Sequence, residues 1–331
     1  MGVTLKDIAE SAGVTSATVS MVINNKPNIS EATRKKVLKI AKDLNYYPNV
    51  IARGLATRKS NSIGVIVPNL ASSFVVRILQ GIKSTNRDID YTVTLFDTVG
   101  QKENESQLFQ RLARERRIDG AILISAYLSQ EDLMHFADES VPCVVVARKC
   151  DELDSVYVNN TEGAMTATEY LIGKGHKNIA CVTCTKQNLP TADRIAGYRA
   201  ALEKNGIQFN EKLLLEVSDD SIDSGARIFS AVESLIPKVS AVFFPAGDMA
   251  AIGFIKTAKK HGRAIPGDYA VVGFDDIPAA EVIEPALTTV RQPKLEMGDH
   301  AIGMIVDKIE GREKGIKHKE LPTKFIVRES A

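Results

Sequence analysis

The sequence of 331 residues lacks the features of membrane, exported and disordered proteins. It has no apolar run of membrane-spanning length, no export signal at its start and no low-complexity segment. Its four cysteines are too few for a disulfide-rich secreted domain. We therefore expect a globular protein of the reducing cytoplasm.

Signatures of metal binding and catalysis are also missing. Cys181-x-x-Cys184 has no second cysteine pair or histidine doublet at zinc-site spacing, so we interpret it as packing within a buried strand. The five histidines have no recognisable serine or cysteine partner, and no acid pair is marked as a general acid and base. The segment 173–176 is better explained as a helix end than as a phosphate loop. We expect no enzymatic activity, no cofactor and no metal.

Charge is abundant but unevenly distributed. The 42 basic and 41 acidic side chains give a net charge of +1. Residues 1–60 hold ten basic and four acidic side chains, or +6, which leaves −5 for the remainder. A basic module attached to a slightly acidic body is typical of a nucleic-acid-binding unit joined to a sensor. The length allows a small module and a two-lobed core.

Residues 4–24 carry two short helical patterns separated by Gly13-Val14. Apolar residues recur at helical spacing at Leu5, Ile8, Ala9 and Ala12, and then at Val19, Val22 and Ile23. Thr15 is a candidate N-cap of the second helix. This pattern predicts a helix-turn-helix whose second helix enters the DNA major groove. The alternative is a small helical hairpin that packs on a larger domain.

A further short helix is predicted after Pro48, over residues 49–57. A helix of about two turns is not stable alone in water. It therefore needs a partner helix, a DNA surface, or both.

From Ser62 onward, apolar strands alternate with helices, which indicates parallel sheets covered on both faces. The predicted strands are Ile63–Val67, Tyr91–Phe96, Gly120–Ser125, Pro142–Ala147, Ile179–Thr183, Ala241–Phe244, Ala270–Phe274 and Phe325–Val327. The rhythm restarts at Ile179, which predicts two similar lobes. Ligands of such sheets bind outside the carboxyl ends of the strands.

The motifs together resemble the LacI family of bacterial transcription regulators. The headpiece and hinge motifs are Thr18-Val19-Ser20 followed by Asn24, and Tyr46-x-Pro48-Asn49-x-x-Ala52-Arg53-x-Leu55. The body adds 175–180, Arg194-x-x-Gly197-Tyr198, 248–253, 272–276 and 287–293. The resemblance covers nearly the whole chain. It implies an α/β fold, a two-lobed periplasmic-binding-protein-like core of parallel sheets with an N-terminal all-α helix-turn-helix headpiece.

The resemblance also implies a domain plan and a function. The plan is a headpiece (1–47), a hinge helix and linker (48–60), and an effector-binding and dimerisation domain (61–331), with an N-lobe at about 61–160 and 291–320 and a C-lobe at about 161–290 and 321–331. We expect a cytoplasmic, nucleoid-associated repressor that binds a pseudo-palindromic double-stranded DNA operator as a homodimer. A small-molecule effector in the interlobe cleft would gate it. The alternatives are an activator and a catabolite-control-type regulator gated by a phosphorylated protein corepressor.

By resemblance, DNA contacts come from the headpiece and the hinge. The implied residues are Thr4, Leu5, Thr15, Ser16, Ala17, Thr18, Ser20, Met21, Asn24, Asn28, Tyr46, Asn49, Ala52, Arg53, Leu55 and Ala56. Met21 stands where an arginine is common, so we expect an unusual half-site. Leu55 would wedge into a central pyrimidine–purine step, for which CG is the expected sequence.

Effector contacts are likewise implied by the resemblance. The implied residues are Phe74, Ser125, Arg148, Arg194, Asp220, Asp248, Asp275 and Gln292. The sequence departs from the family at Gly247, where an asparagine is frequent, at Ala147, where an aspartate is usual, and at Asp220, where sugar-binding members place an aromatic ring. These departures disfavour a neutral sugar, and the two arginines would suit a sugar phosphate. Asp275-Asp276 could instead form a turn, and Arg194 an interlobe ion pair.

Overall fold

The structure is a computed structural model that describes residues 3–24, 26–46, 59–85, 90–98, 102–124, 129, 131, 132, 134, 136, 141–184, 189–235 and 238–331. It divides into two compact units, Met1–Ser60 and Asn61–Ala331.

Within its described residues, the N-terminal unit contains three helices, α1 (Leu5–Ala12), α2 (Ser16–Ile23) and α3 (Glu31–Asp43). Their contacts form one small apolar core, made of Ile8, Ala9, Ala12, Val19, Val22, Val37 and Ala41. Helix α1 ends at Gly13, which adopts a left-handed conformation with φ of 66°. Glycine tolerates this conformation without strain, so the chain turns sharply into α2.

The second unit contains two six-stranded sheets. Sheet A consists of β1 (Ser62–Val67), β2 (Thr92–Asp97), β3 (Gly120–Ile124), β4 (Cys143–Val146), β5 (Asp154–Val158) and β11 (His318–Leu321), in the order β11-β5-β4-β3-β1-β2. Sheet B consists of β6 (Ile179–Cys184), β7 (Leu214–Val217), β8 (Ala241–Phe243), β9 (Ala270–Asp275), β10 (Thr288–Arg291) and β12 (Lys324–Ile326), in the order β12-β10-β9-β8-β6-β7. All pairs are parallel except β10–β12.

Helices cover both faces of each sheet, as parallel sheets require. Sheet A packs against α4 (Ser73–Thr85) and α11 (Lys294–Ile309) on one face and α5 (Lys102–Arg114) on the other. Sheet B packs against α6 (Asn160–Gly173) and α7 (Leu189–Lys204) on one face, and against α8 (Ile222–Glu233), α9 (Asp248–Lys260) and α10 (Pro278–Val282) on the other. The predicted α/β class with two parallel-dominated sheets is confirmed.

The chain passes between the sheets three times. It leaves sheet A after β5, returns from β10 into α11, and crosses again in the two residues between β11 and β12. The carboxyl ends of both sets of parallel strands lie beside these crossings. Polar residues that follow the strands are therefore placed where an α/β sheet binds ligands.

Candidate DNA-reading helix and effector cleft

Helix α2 is amphipathic and presents a small, exposed face. Val19 and Val22 are buried in the headpiece core, whereas Ser16, Ala17 and Met21 are exposed. The hydroxyl of Thr15 accepts a hydrogen bond from the amide of Thr18 at 3.2 Å, so Thr15 is the predicted N-cap. The helix thus begins at a fixed residue and offers its first turn and Met21 to solvent.

The other headpiece residues singled out by sequence lie around this face. Thr4 caps α1 through Asp7, and Leu5 packs partly into the core. The side-chain amide of Asn24 donates to the Ser20 carbonyl at 2.9 Å and closes the end of α2. The remaining side chains are exposed or half-buried; they are Thr18, Asn28 and Tyr46. The hinge residues Asn49, Ala52, Arg53, Leu55 and Ala56 lie outside the described residues.

In the second unit, the predicted effector residue Arg194 is held in place by several contacts. Its Nε donates to Asn160 Oδ1 and its Nη1 to the Pro245 carbonyl, both at 2.8 Å. Its guanidinium carbon lies 3.7 Å from the centre of the Phe274 ring. Only 11% of the side chain is exposed, with Nη2 3.9 Å from Asp275 Oδ1. The arginine is therefore fixed from several sides before any ligand binds.

Asp275 joins the end of β9 to the crossing between the sheets. Its Oδ1 accepts from Gln292 Nε2 at 2.5 Å, and its backbone carbonyl accepts from the ammonium of Lys294. Its φ of 119° is outside the usual range of non-glycine residues. Such strain persists only where surrounding contacts hold it, and it is common at ligand sites. Arg194, Asp275 and Gln292 thus meet at the end of β9.

Asp276, the next residue, has a different role. Its Oδ2 accepts from Arg291 Nε at 2.5 Å and its Oδ1 from Arg328 Nη2 at 2.7 Å. The carboxylate is only 8% exposed. Burial opposes its ionisation, but the hydrogen bonds from the two arginines prevail and lower the pKa of Asp276. The turn interpretation of this pair therefore describes Asp276, which ties β10 and the segment after β12 to the end of β9.

Asp220 and Gly247 occupy the same corner of the cleft. Asp220 Oδ1 accepts from the amide of Ala250 at 2.8 Å and so caps α9. Gly247, the N-cap position of that helix, has φ of 139°, and a Cβ built there would overlap the carboxylate of Asp220. The departures from the family pattern at positions 220 and 247 are therefore linked by packing. The carboxylate fills the space that a side chain at position 247 would need.

Asp248 is fully buried, and Asp275 is nearly so. Its carboxylate accepts from Thr289 Oγ1 at 2.6 Å and from the amide of Ile277 at 2.9 Å. Desolvation and then the charge of Asp275 raise its pKa well above the usual value. With no exposed surface, Asp248 supports α9 and the end of β9 from below the cleft.

Sheet A supplies fewer described residues to this region. Phe74, in the first turn of α4, is half-buried against the core of sheet A, and Arg148 follows β4. Burial lowers the pKa of Arg148. Ser125 lies outside the described residues. The structure therefore brings Arg194, Asp220, Asp275 and Gln292 together at the carboxyl ends of the sheet B strands.

Sequence reasoning missed three residues that organise this region, Asn160, Phe274 and Lys294. Asn160 is only 4% exposed and holds Arg194. Lys294 is 5% exposed, and its ammonium reaches the carbonyls of Asp275 and Asp276. A lysine that begins a helix is ordinarily solvated. The one sign of this role in the sequence is that Lys294 directly follows the Gln292-Pro293 motif.

The Cys181-x-x-Cys184 pair is resolved as packing. Cys181 lies in the apolar cluster between sheet B and α6–α7, whereas Cys184 packs on the opposite face of β6. Residues three apart on a strand point to opposite sides, so the two sulfurs cannot share a metal. Within the described residues, no group of three or more histidine, cysteine, aspartate or glutamate side chains could hold a metal ion. Nor does any helix of those ranges have the length and apolar composition needed to cross a bilayer.

Comparisons with known proteins agree with both halves of the structure. Residues 4–49 match the family described as "Bacterial regulatory proteins, lacI family", and residues 60–329 match "Periplasmic binding proteins and sugar binding domain of LacI family". The chain is 32% identical over 329 residues to the HTH-type transcriptional repressor PurR of Vibrio parahaemolyticus serotype O3:K6, covering 98% of this chain and 97% of that protein.

Two further relatives span the whole chain. Catabolite control protein A of Priestia megaterium is 32% identical over 336 residues, covering 100% of this chain and 99% of that protein. A crystal structure of the lac repressor dimer bound to operator and the anti-inducer ONPF superposes with a TM-score of 0.87 at 27% identity, covering 100% and 99% of the two chains. With a helix-turn-helix unit followed by a two-sheet sensor core, the chain belongs to the LacI family of bacterial transcription regulators.

Proposed function

We propose that this regulator represses transcription by binding a pseudo-palindromic operator as a homodimer, and that a small molecule in the cleft between its sheets controls binding. The observation that carries the DNA half is the exposed face of α2, with Ser16, Ala17 and Met21 over buried Val19 and Val22. One such helix reads few base pairs, so two copies are needed for useful specificity. The lac repressor structure is itself a dimer on operator DNA.

Within this proposal, residues 1–47 form the DNA-binding headpiece, 48–60 the hinge and 61–331 the effector-binding and dimerisation domain. Ser16, Ala17 and Met21 contact base edges, while lysine, arginine and backbone amides hold phosphates. Met21 offers only an apolar contact, for example to a thymine methyl group. The half-site therefore differs from one read by arginine at this position.

The cleft half of the proposal is supported by the convergence of Arg194, Asp220, Asp275 and Gln292 at the carboxyl ends of sheet B. Directional donors and acceptors of this kind suit a sugar or related metabolite. The same residues adjoin the crossings between the sheets, because Lys294 links Asp275 to the start of α11. A ligand that changes this edge shifts the placement of one sheet against the other, and so biases the hinge.

The proposal includes no enzymatic activity, since Arg194, Asp220, Asp275 and Gln292 form a binding set. The Ser–His hydrogen bonds of the described residues, Ser155–His318 and His176–Ser240, lie at the amino ends of the strands, away from this set. It places the protein in the bacterial cytoplasm, on the nucleoid when it is DNA-bound. The sequence relationship to catabolite control protein A supports a second candidate, regulation by a phosphorylated protein corepressor. Capture of a phosphorylated carrier protein, but not of its unphosphorylated form, by the full-length regulator would favour that candidate.

The experiment that tests the DNA half is selection of binding sites for the purified full-length protein from a random double-stranded pool. We expect a palindrome with a deformable pyrimidine–purine step at its centre. Selection with Met21→Arg provides the matched comparison, because only the variant can donate two hydrogen bonds to guanine. A single asymmetric site with either protein, or no change of half-site between them, contradicts the proposed dimer or the proposed role of Met21.

A further inference from the structure

The corner of the cleft formed by Asp220 and Gly247 carries different chemical groups from those of the family pattern, which has an aromatic ring at position 220 and an asparagine at position 247. The carboxylate of Asp220 is oriented by the N-terminus of α9 through the Ala250 amide. A side chain at position 247 has no room here, because its Cβ would overlap the carboxylate of Asp220. The position is therefore fixed by packing as well as by hydrogen bonding. The group it offers to a ligand is a carboxyl.

The charges around this carboxyl are mainly negative. Asp275 faces it from the end of β9, Asp248 lies beneath it at the start of α9, and Asp219 precedes it. Cys184, at the end of β6, and Arg194, from α7, also lie near it. Among these described residues Arg194 is the one cation. Two of its nitrogens already donate to Asn160 and Pro245, and the third faces Asp275.

These surroundings affect the protonation of Asp220. Desolvation and then the charge of Asp275 raise its pKa to about 7, against the opposing effects of the Ala250 amide and Arg194. Near neutral pH the group is therefore partly protonated. A ligand that donates hydrogen bonds or brings a positive charge favours the ionised form, whereas an anion placed here is repelled by whichever acid is ionised.

We propose that Asp220 determines the ligand class of the cleft: it accepts hydrogen bonds from a neutral or cationic ligand bearing hydroxyl or amino groups, and it excludes phosphate and carboxylate from this end. The proposal rests on the cleft being the effector site. It differs from the sugar phosphate favoured by the sequence, which relied on Arg148 and Arg194 as partners for an anion. In the structure, Arg194 Nη2 lies 3.9 Å from Asp275 Oδ1, so a negative charge already offsets that of Arg194 before a ligand binds.

The test is thermal unfolding of the full-length protein with matched ligands: glucose, glucosamine and glucose 6-phosphate, and the corresponding galactose and ribose sets. We expect one or more neutral or amino members to raise the melting temperature, and each phosphate to raise it less than its parent. Asp220→Asn should abolish this ranking. Asp223→Asn, an equal charge change at an exposed position of α8, should preserve it. Phosphates that stabilise best, or a panel without any neutral or amino stabiliser, overturn the proposal.

Two pH dependences complete the test. Because ionised Asp220 is the better acceptor, affinity for the stabilising neutral sugar should rise about tenfold from pH 6 to pH 8 in the wild type and stay level in Asp220→Asn. Without ligand, the folded protein binds this proton more tightly than the unfolded chain. The wild type should therefore lose stability relative to Asp220→Asn as the pH rises from about 4 to 7. Parallel curves for the two proteins contradict the proposal.

Failure of this inference is distinguishable from failure of the proposed function. An enriched palindromic site in the DNA selection, together with a failed ligand panel, leaves the repressor proposal intact and removes only the assignment of Asp220. A failed DNA selection with a successful ligand panel leaves the assignment of Asp220 intact and removes the repressor proposal.

Discussion

Arg328 Nη2 lies 2.7 Å from Asp276 Oδ1, and this ion pair connects the segment after β12 to the turn after β9. The two side chains are 13% and 8% exposed. Arg291 pairs with the other oxygen of the same carboxylate but is 47% exposed. One acid thus has a nearly buried and a solvated partner, which makes it possible to compare them within a single site.

We expect Arg328→Ala to destabilise the protein by about 3 kcal/mol, because it breaks a buried pair and also removes a donor to the Leu287 carbonyl. Arg291→Ala should cost roughly 1 kcal/mol or less, since solvent screens the exposed pair. Urea unfolding followed by circular dichroism measures both values. Equal losses of unfolding free energy in the two variants would show that burial of the Arg328–Asp276 pair does not add to stability.

In the hinge, Leu55→Ala should weaken operator binding strongly and leave non-specific binding unchanged. A minor-groove wedge acts only where the DNA can be kinked, and unstacking one step involves a few kcal/mol. Leu38→Ala is the matched control, because Leu38 is a 47% exposed leucine on α3. Fluorescence anisotropy with operator and with scrambled DNA separates the two affinities. An equal loss on both DNAs contradicts the wedge.

At the start of α1, the pKa of Asp7 is lowered by the backbone amide and then by the hydroxyl of Thr4. The folded-state pKa lies below the unfolded one, so Asp7 contributes stability above the unfolded value and loses it as the pH falls through the folded value. NMR titration of its carboxyl carbon should show an upward shift of the pKa in Thr4→Ala. The control is Thr15→Ala, the other threonine cap, which should leave Asp7 unchanged; no shift in Thr4→Ala would contradict the capping box.

The four thiols should react slowly in the native protein. Burial raises the pKa of Cys143, Cys150 and Cys181, and it raises that of Cys184 to about 12. At pH 8 few thiolates are therefore present to attack a disulfide reagent. Labelling with Ellman's reagent should be far slower than in urea, where all four react. A fast-reacting thiol, or a loss of DNA binding on adding chelator, would contradict the packing role.

The sequence predicted those parts of the fold in which apolar residues recur with a clear period. Strands such as β1, β4 and β9 are continuous buried runs, and each lies within a residue or so of its predicted bounds. Four strands were not predicted: β5, β7, β10 and β11. In β10 the buried side chains include Thr288 and Thr289, and β11 is mostly exposed, so neither has an apolar pattern. Their pairing partners, rather than their own composition, determine these strands.

The candidate site shows the same limit. Arg194, Asp275 and Gln292 could be placed by motif, because each follows a recognisable strand or helix pattern. The exchange between Asp220 and Gly247 could not, since two residues distant in the chain compete for one space. The role of Lys294 depends on carbonyl positions that only the folded backbone defines. Burial of a charged group is a tertiary property, and local sequence carries little information about it.

The last two strands, β11 and β12, are separated by two residues, yet each forms the edge of a different sheet. During synthesis both halves of the core therefore remain one strand short until this one segment has left the ribosome. A chain truncated before His318 would keep residues 1–60, but both sheets would lose an edge strand. We therefore expect a single truncation there to weaken both halves of the core together and to expose the backbone groups of β5 and β10.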